Sequence, residues 1–206
     1  MVPHKKTKSR GQSIVEFSLL LPLLLAMLSS LVEFGFVLNE YLDLIDTTRE
    51  TVRFLSDQDP FEPGGTTRND NFYADGVDQM SVTLARAGWI NLDTSTDDLV
   101  ISVFSVTGTS SLTRYPATFS DATCGGADNG GAMGWRMDCN KPSSFSDSEI
   151  LNRISSISNA PDTGIVLVEI FYDYKMKLGL PWVTGIVGDT ITLHAYSFAP
   201  NASSEP

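Results

Sequence analysis

The chain has 206 residues, 42% hydrophobic and 19% charged, which is room for one modest domain plus an anchor. Its net charge of −11 excludes the cationic surface that nucleic-acid binding needs. That charge is split: Lys5, Lys6, Lys8 and Arg10 give residues 1–11 about +4, leaving about −15 on the rest, a positive-inside pattern that holds the N-terminus in the cytoplasm.

The leader ends in Arg10-Gly11-Gln12-Ser13-Ile14-Val15-Glu16-Phe17, a glycine followed by a greasy helix that begins with a carboxylate. A plain membrane anchor avoids an ion so near the hydrocarbon, because an unpaired one is costly there. A chain that is trimmed and packed against a neighbour can use it. From Ile14 to Leu38 the sequence is apolar apart from Glu16, Glu33 and a few small polar residues. The uncharged core, Phe17 to Val32, is short for a span, and its apolar flanks lengthen it enough. A cleaved secretory signal fits poorly: no A-x-A site follows the leucines, and apolar helical periodicity continues past them. Pro22 removes one backbone bond and predicts a bend. Glu33, near the outer interface by length, is expected to be solvated.

The helical pattern runs on through Phe36, Val37, Tyr41, Leu42, Leu44, Ile45, Val52 and Phe54, with charges interleaved. This predicts one helix from about Ser13 to Leu55, first half in lipid, second half amphipathic and in need of a domain to cover its stripe. Arg49 and Arg53 share a face, and Glu50 stands i,i+3 from Arg53. That face is either solvated or a partner contact. Ser56-Asp57-Gln58-Asp59-Pro60 ends the helix.

Residues 57–75 read as a loop, and Val77, Met80, Leu84 and Ala85 as a short helix that Gly88 ends. Leu99 to Val106 is a strand, and Tyr115 to Phe119 a weaker second one. Cys124 and Cys139 enclose a glycine-rich loop, which a disulfide in an exported body would stiffen by about 3 kcal/mol on the chain-entropy model. Free thiols are the other reading, and two cysteines this far apart lack the ligand count and spacing of a zinc site. Asp121, Asp128, Asn129 and Asp138 could supply oxygens to calcium, though their spacing is not that of an EF-hand loop.

Ser146-Asp147-Ser148-Glu149 fits a capping box that opens a helix carrying Ile150, Leu151, Ile154 and Ile157. Ile165 to Met176 is a long strand, Leu180-Pro181-Trp182 a turn, and Thr190 to Phe198 the return. The expected class is α+β: a long N-terminal helix, transmembrane in its first half, packed against a small antiparallel sheet of three or four strands in the manner of a pilin. The divisions are a basic leader over 1–11, the helix over 12–55 and an extracytoplasmic domain over 56–206.

Gly11-Gln12-Ser13-Ile14-Val15-Glu16-Phe17, the run Leu19-Leu20-Leu21-Pro22-Leu23-Leu24-Leu25 and Glu33-Phe34-Gly35 together resemble the TadE-like family. Thr47 to Phe54 is similar to the Ala-Arg-Glu-Gly-Ala-Arg run that closes the family's helix. Thr48, Thr51 and Val52 replace its first alanine, glycine and second alanine, while Arg49, Glu50 and Arg53 keep it. A weaker likeness covers Val166 to Phe198. Members of this family are pseudopilins or minor pilins of tight-adherence (Flp-type) pilus machines.

The resemblance implies cleavage by a prepilin peptidase after Gly11, with Gln12 the new N-terminus and Glu16 at the fifth position. Glu16 would then pair with the freed amine of a neighbouring subunit, fixing register in a low dielectric, with Phe17 and Pro22 in the packing face. The bland reading leaves Glu16 at headgroup depth. The implied partners are other pilins or pseudopilins, the peptidase, the pilus assembly platform and the membrane. The implied location is the cytoplasmic (inner) membrane, single-pass, N-terminus inside, with entry into a surface pilus open. The alternative is an uncleaved, membrane-tethered binding or sensor module.

No enzyme is expected. His4 lies in the leader and His194 within a strand, and there is no P-loop, dinucleotide fingerprint, zinc helix or nucleophile elbow. No cofactor or metal is expected either. Trp89, Trp135 and Trp182 read as core or interface anchors.

Overall fold

The computed structural model describes residues 12–65, 67–108, 111–116, 134–155 and 162–204. Four helices lie among them: α1 (Gln12–Ser56), α2 (Asp70–Ala87), α3 (Asp147–Ser155) and α4 (Pro181–Val187). Five strands form one antiparallel sheet: β1 (Asp98–Thr107), β2 (Ser111–Tyr115), β3 (Trp135–Arg136), β4 (Thr163–Lys175) and β5 (Thr190–Pro200). The order is β2-β1-β4-β5, with β3 also paired to β1. The class is α+β, with one strand more than the upper expectation, because β3 is only two residues long and forms by pairing with Val100 and Ile101.

Two compact units divide the described chain: residues up to Leu38 together with Lys175–Ile191, and Asn39–Tyr174 together with those from Thr192 onward. In the larger unit the sheet centre is buried on both faces, which is why β1 reads as an almost continuous apolar run rather than an alternating one. On one face Phe104, Val106 and Leu167 pack against Phe145 and Ile150, with Ile154 of α3 joining them. Arg114 pins this layer: its Nε donates to Asp147 Oδ1 (2.7 Å), its Nη1 to Ser102 Oγ (3.0 Å) and its Nη2 to the Phe145 carbonyl. The Ser146 hydroxyl accepts the Glu149 N–H at 3.2 Å, so the capping box opens α3 where expected.

The other face is covered by the second half of α1 and by α2. Glu40, Leu44, Thr47, Thr48, Thr51, Val52 and Leu55 are the buried positions of α1 there. Gly76 of α2 comes so near that a Cβ would lie 2.8 Å from Ile101 Cδ1 and 3.1 Å from Leu55 Cδ1. Tyr73 stacks on Trp135 at 5.3 Å.

Three local expectations are corrected. The loop expected over 57–75 ends at Asn69: its side chain accepts the Asn71 N–H and starts α2 at Asp70, burying Phe72 and Tyr73. The second strand lies at Ser111–Tyr115, ahead of the expected Tyr115 to Phe119, whose last three residues fall outside the described ones. Pro181 does not turn the chain but stands at the first position of α4, where a missing N–H costs nothing. Gly88, with φ of 81°, ends α2 as expected, and α1 runs through Pro22 without interruption.

Candidate functional site

The first half of α1 presents apolar side chains to its surroundings along its length: Ile14, Phe17, Leu19, Leu24, Leu28 and Leu31 are all exposed. A continuous apolar helix of this length is able to cross a membrane. Its hydroxyls are satisfied within the helix: Ser18 donates to the Val15 carbonyl, and Ser29 and Ser30 both donate to that of Ala26. Gly11 lies outside the described residues, and Gln12 opens the helix. Glu16, Phe17 and Pro22 are exposed on it.

Glu33 corrects the sequence reading. It is 3% exposed rather than solvated, and its two carboxylate oxygens accept the backbone N–H groups of Lys177 and Leu178, each at 2.8 Å. These two donors begin a hairpin that leaves β4 and returns to β5. Its base is closed by the Met176 N–H donating to the Asp189 carbonyl (3.1 Å). Gly179 takes a positive φ of 55° in the turn that leads into α4. Trp182, the second residue of α4, donates its indole N–H to Ser29 Oγ at 3.1 Å. The indole and α1 then frame an open apolar groove of about 450 Å³ lined by Ser18, Leu21, Pro22, Leu25, Ala26 and Trp182.

The remaining candidate residues fall elsewhere. Arg49, Glu50 and Arg53 are exposed on α1, and the ion pair there joins Arg49 to Asp46 (3.5 Å) rather than Glu50 to Arg53. The three positions that depart from the family run, Thr48, Thr51 and Val52, are all buried, while the three that keep it point outward. Cys139 is disulfide-bonded, and the other cysteine of the chain, Cys124, lies outside the described residues, as do Asp121, Asp128 and Asn129.

Several polar residues that sequence reasoning passed over organise the larger unit. Asp98 accepts the N–H groups of Asp138 (3.0 Å) and Lys141 (2.9 Å) and so holds the segment around Cys139. Burial pushes its carboxyl above the usual range, against those hydrogen bonds. Asp97 accepts the Asp173 N–H across the sheet. Glu169 is fully buried and accepts the Ser144 N–H (2.9 Å), the Ser143 hydroxyl and His194 Nε2 (3.1 Å). The carboxylate, not the imidazole, receives the serine proton donor, so this group ties β4 to β5 and to the loop before α3 rather than activating a nucleophile. Local sequence carried no signal for these contacts, since each partner is far away in the chain.

Residues 11–53 match the family model described as TadE-like protein. The match spans α1 almost completely and covers, except for Phe54, the N-terminal residues on which the resemblance rests; the C-terminal likeness over Val166 to Phe198 lies outside it. No curated protein and no solved structure matches the chain.

Proposed function

We propose that this protein is a pilin-like minor subunit or assembly factor of a Tad (Flp-type) pilus. The observation that carries the reading is the match over residues 11–53 lying on a helix whose first half, Glu16 and a few serines apart, exposes an apolar surface. Such a surface calls for lipid or the helices of neighbouring subunits. In this reading α1 sits in the cytoplasmic membrane with the N-terminus inside and the acidic body outside. A prepilin peptidase cuts after Gly11, Gln12 becomes the N-terminus, and Glu16 meets the amine of a neighbouring pilin. The larger unit then presents the exposed Arg49, Glu50 and Arg53 face to the assembly platform or to other pilins. The role is assembly, not catalysis.

Intact mass and N-terminal sequencing of the membrane-extracted protein, with and without the peptidase, tests this. A peptidase-dependent N-terminus at Gln12 supports it, and loss of surface pili in Glu16→Leu extends it. A terminus at Met1 or Val2 in the presence of the peptidase overturns processing and favours an uncleaved tethered module.

A further inference from the structure

Between Lys177 and Asp189, residues 178–188 hold no charged side chain, and Leu178 and Trp182 are exposed there, 40% and 48%. In a water-facing loop such a stretch would be a liability. Its place along α1 explains it. At about 1.5 Å per residue, Glu33 lies roughly 30 Å from Ser13, the thickness of a hydrocarbon core. Ala26 and Ser29, the level of the indole, therefore lie roughly 6–10 Å inside the outer boundary.

The hairpin is built for that depth. Six of its backbone donors are met internally: Lys177 and Leu178 by Glu33, Met176 by Asp189, Val183 and Thr184 by the Leu180 carbonyl, Gly188 by that of Thr184. Pro181 has no N–H to satisfy. The one polar atom of the indole is taken up by Ser29 rather than left to water. Hydrocarbon demands this kind of internal satisfaction and water does not. The charged residues stand only at the two ends of the run, where headgroups lie.

We propose that this hairpin is a second, non-spanning membrane insertion, and that the groove between Trp182 and the Ser18–Ala26 stretch of α1 holds an acyl chain of the outer leaflet. The proposal rests on α1 being a membrane span, and its test separates the two. Full-length protein is reconstituted in phosphatidylethanolamine–phosphatidylglycerol vesicles whose acyl chains are dibrominated, and tryptophan emission is compared with that in unbrominated vesicles. Three proteins are measured: wild type, Trp182→Phe, and Trp182→Phe combined with Leu24→Trp. Both positions are exposed, and each substitution exchanges one large apolar side chain for another; far-ultraviolet circular dichroism of the three proteins checks that the fold is kept.

The expected result is quenching of the wild type several-fold greater than that of Trp182→Phe, with Leu24→Trp restoring it. Equal quenching of wild type and Trp182→Phe overturns the proposal. So does an unquenched wild type beside a quenched Leu24→Trp protein: the span then stands, and water or a second copy covers the groove. If Leu24→Trp is also unquenched, the span reading fails and takes the proposal with it.

Discussion

Glu33 and Leu178 are 145 positions apart, yet a carboxylate oxygen of one accepts the backbone N–H of the other at 2.8 Å. Lys177 makes the matching bond to the second oxygen. A charged acceptor shared by two adjacent donors is among the stronger hydrogen-bond arrangements, and only a carboxylate offers both oxygens. Glu33→Gln should therefore leave one of the two N–H groups facing an amide NH2, at a cost of about 1–3 kcal/mol. Amide hydrogen exchange at Lys177 and Leu178 in detergent-solubilised protein should rise about tenfold or more, since about 1.4 kcal/mol is a factor of ten. Unchanged exchange would show that the hairpin is held without Glu33.

Thr51 is fully buried on α1, and its hydroxyl has no hydrogen-bond partner. It stands where the family run has glycine, so the departure adds volume to a packed face and a polar atom that nothing satisfies. Thr51→Val keeps the volume and removes the polar atom. The expected outcome is a gain of about 1 kcal/mol, read as a rise in Tm of a few degrees. Thr51→Gly should do the opposite, by opening a cavity and loosening the helix backbone.

The strands over 99–106, 165–176 and 190–198 are legible in the sequence because runs of branched and aromatic residues persist across them, and α3 because its cap is local. The start of α2 is not, because Asp70, Asn71 and Asp75 look like loop formers. What makes it helical is burial of Phe72 and Tyr73 beneath the sheet, a tertiary effect. Pro181 illustrates the same limit: the residue that breaks a chain also begins a helix, and only the surroundings decide. The long apolar helix and the motif that opens it are legible because they are contiguous. The clamp on Glu33 is not, because nothing near Glu33 announces a partner beyond residue 175.

Asp98 makes stability depend on pH in a direction opposite to that of most paired carboxylates. Burial raises its carboxyl in the folded state above the ordinary 3.8. The folded protein then holds a proton that the unfolded chain releases, so stability from this group is full below the ordinary value and falls as pH rises through the raised one. Asp138, raised by burial and by the nearby Asp98 and Asp97 charges, acts in the same sense. Asp98→Asn removes the buried charge while keeping one acceptor for the Asp138 and Lys141 N–H groups. The difference in Tm between Asp98→Asn and wild type should become more positive as pH is raised from 4 to 7. A difference that is flat, or that falls, would show that the two hydrogen bonds outweigh desolvation.

Asn201 closes the other end of α1. Its Nδ2 donates to the carbonyls of Leu55 (3.1 Å), Ser56 (3.2 Å) and Gln58 (2.8 Å), and it is 1% exposed. A helix leaves its last carbonyls without internal donors, and here a side chain from beyond β5 supplies one. Three carbonyls around one atom also fix that atom as the nitrogen. Asn201→Ala should leave those oxygens buried without a donor and cost about 2 kcal/mol, a loss of about 4–8 °C in Tm for a chain of this size. Asn201→Asp should be worse, because it sets a carboxylate against the same carbonyls. If Ala and Asp destabilise equally, packing rather than donation is what Asn201 contributes at the end of the helix.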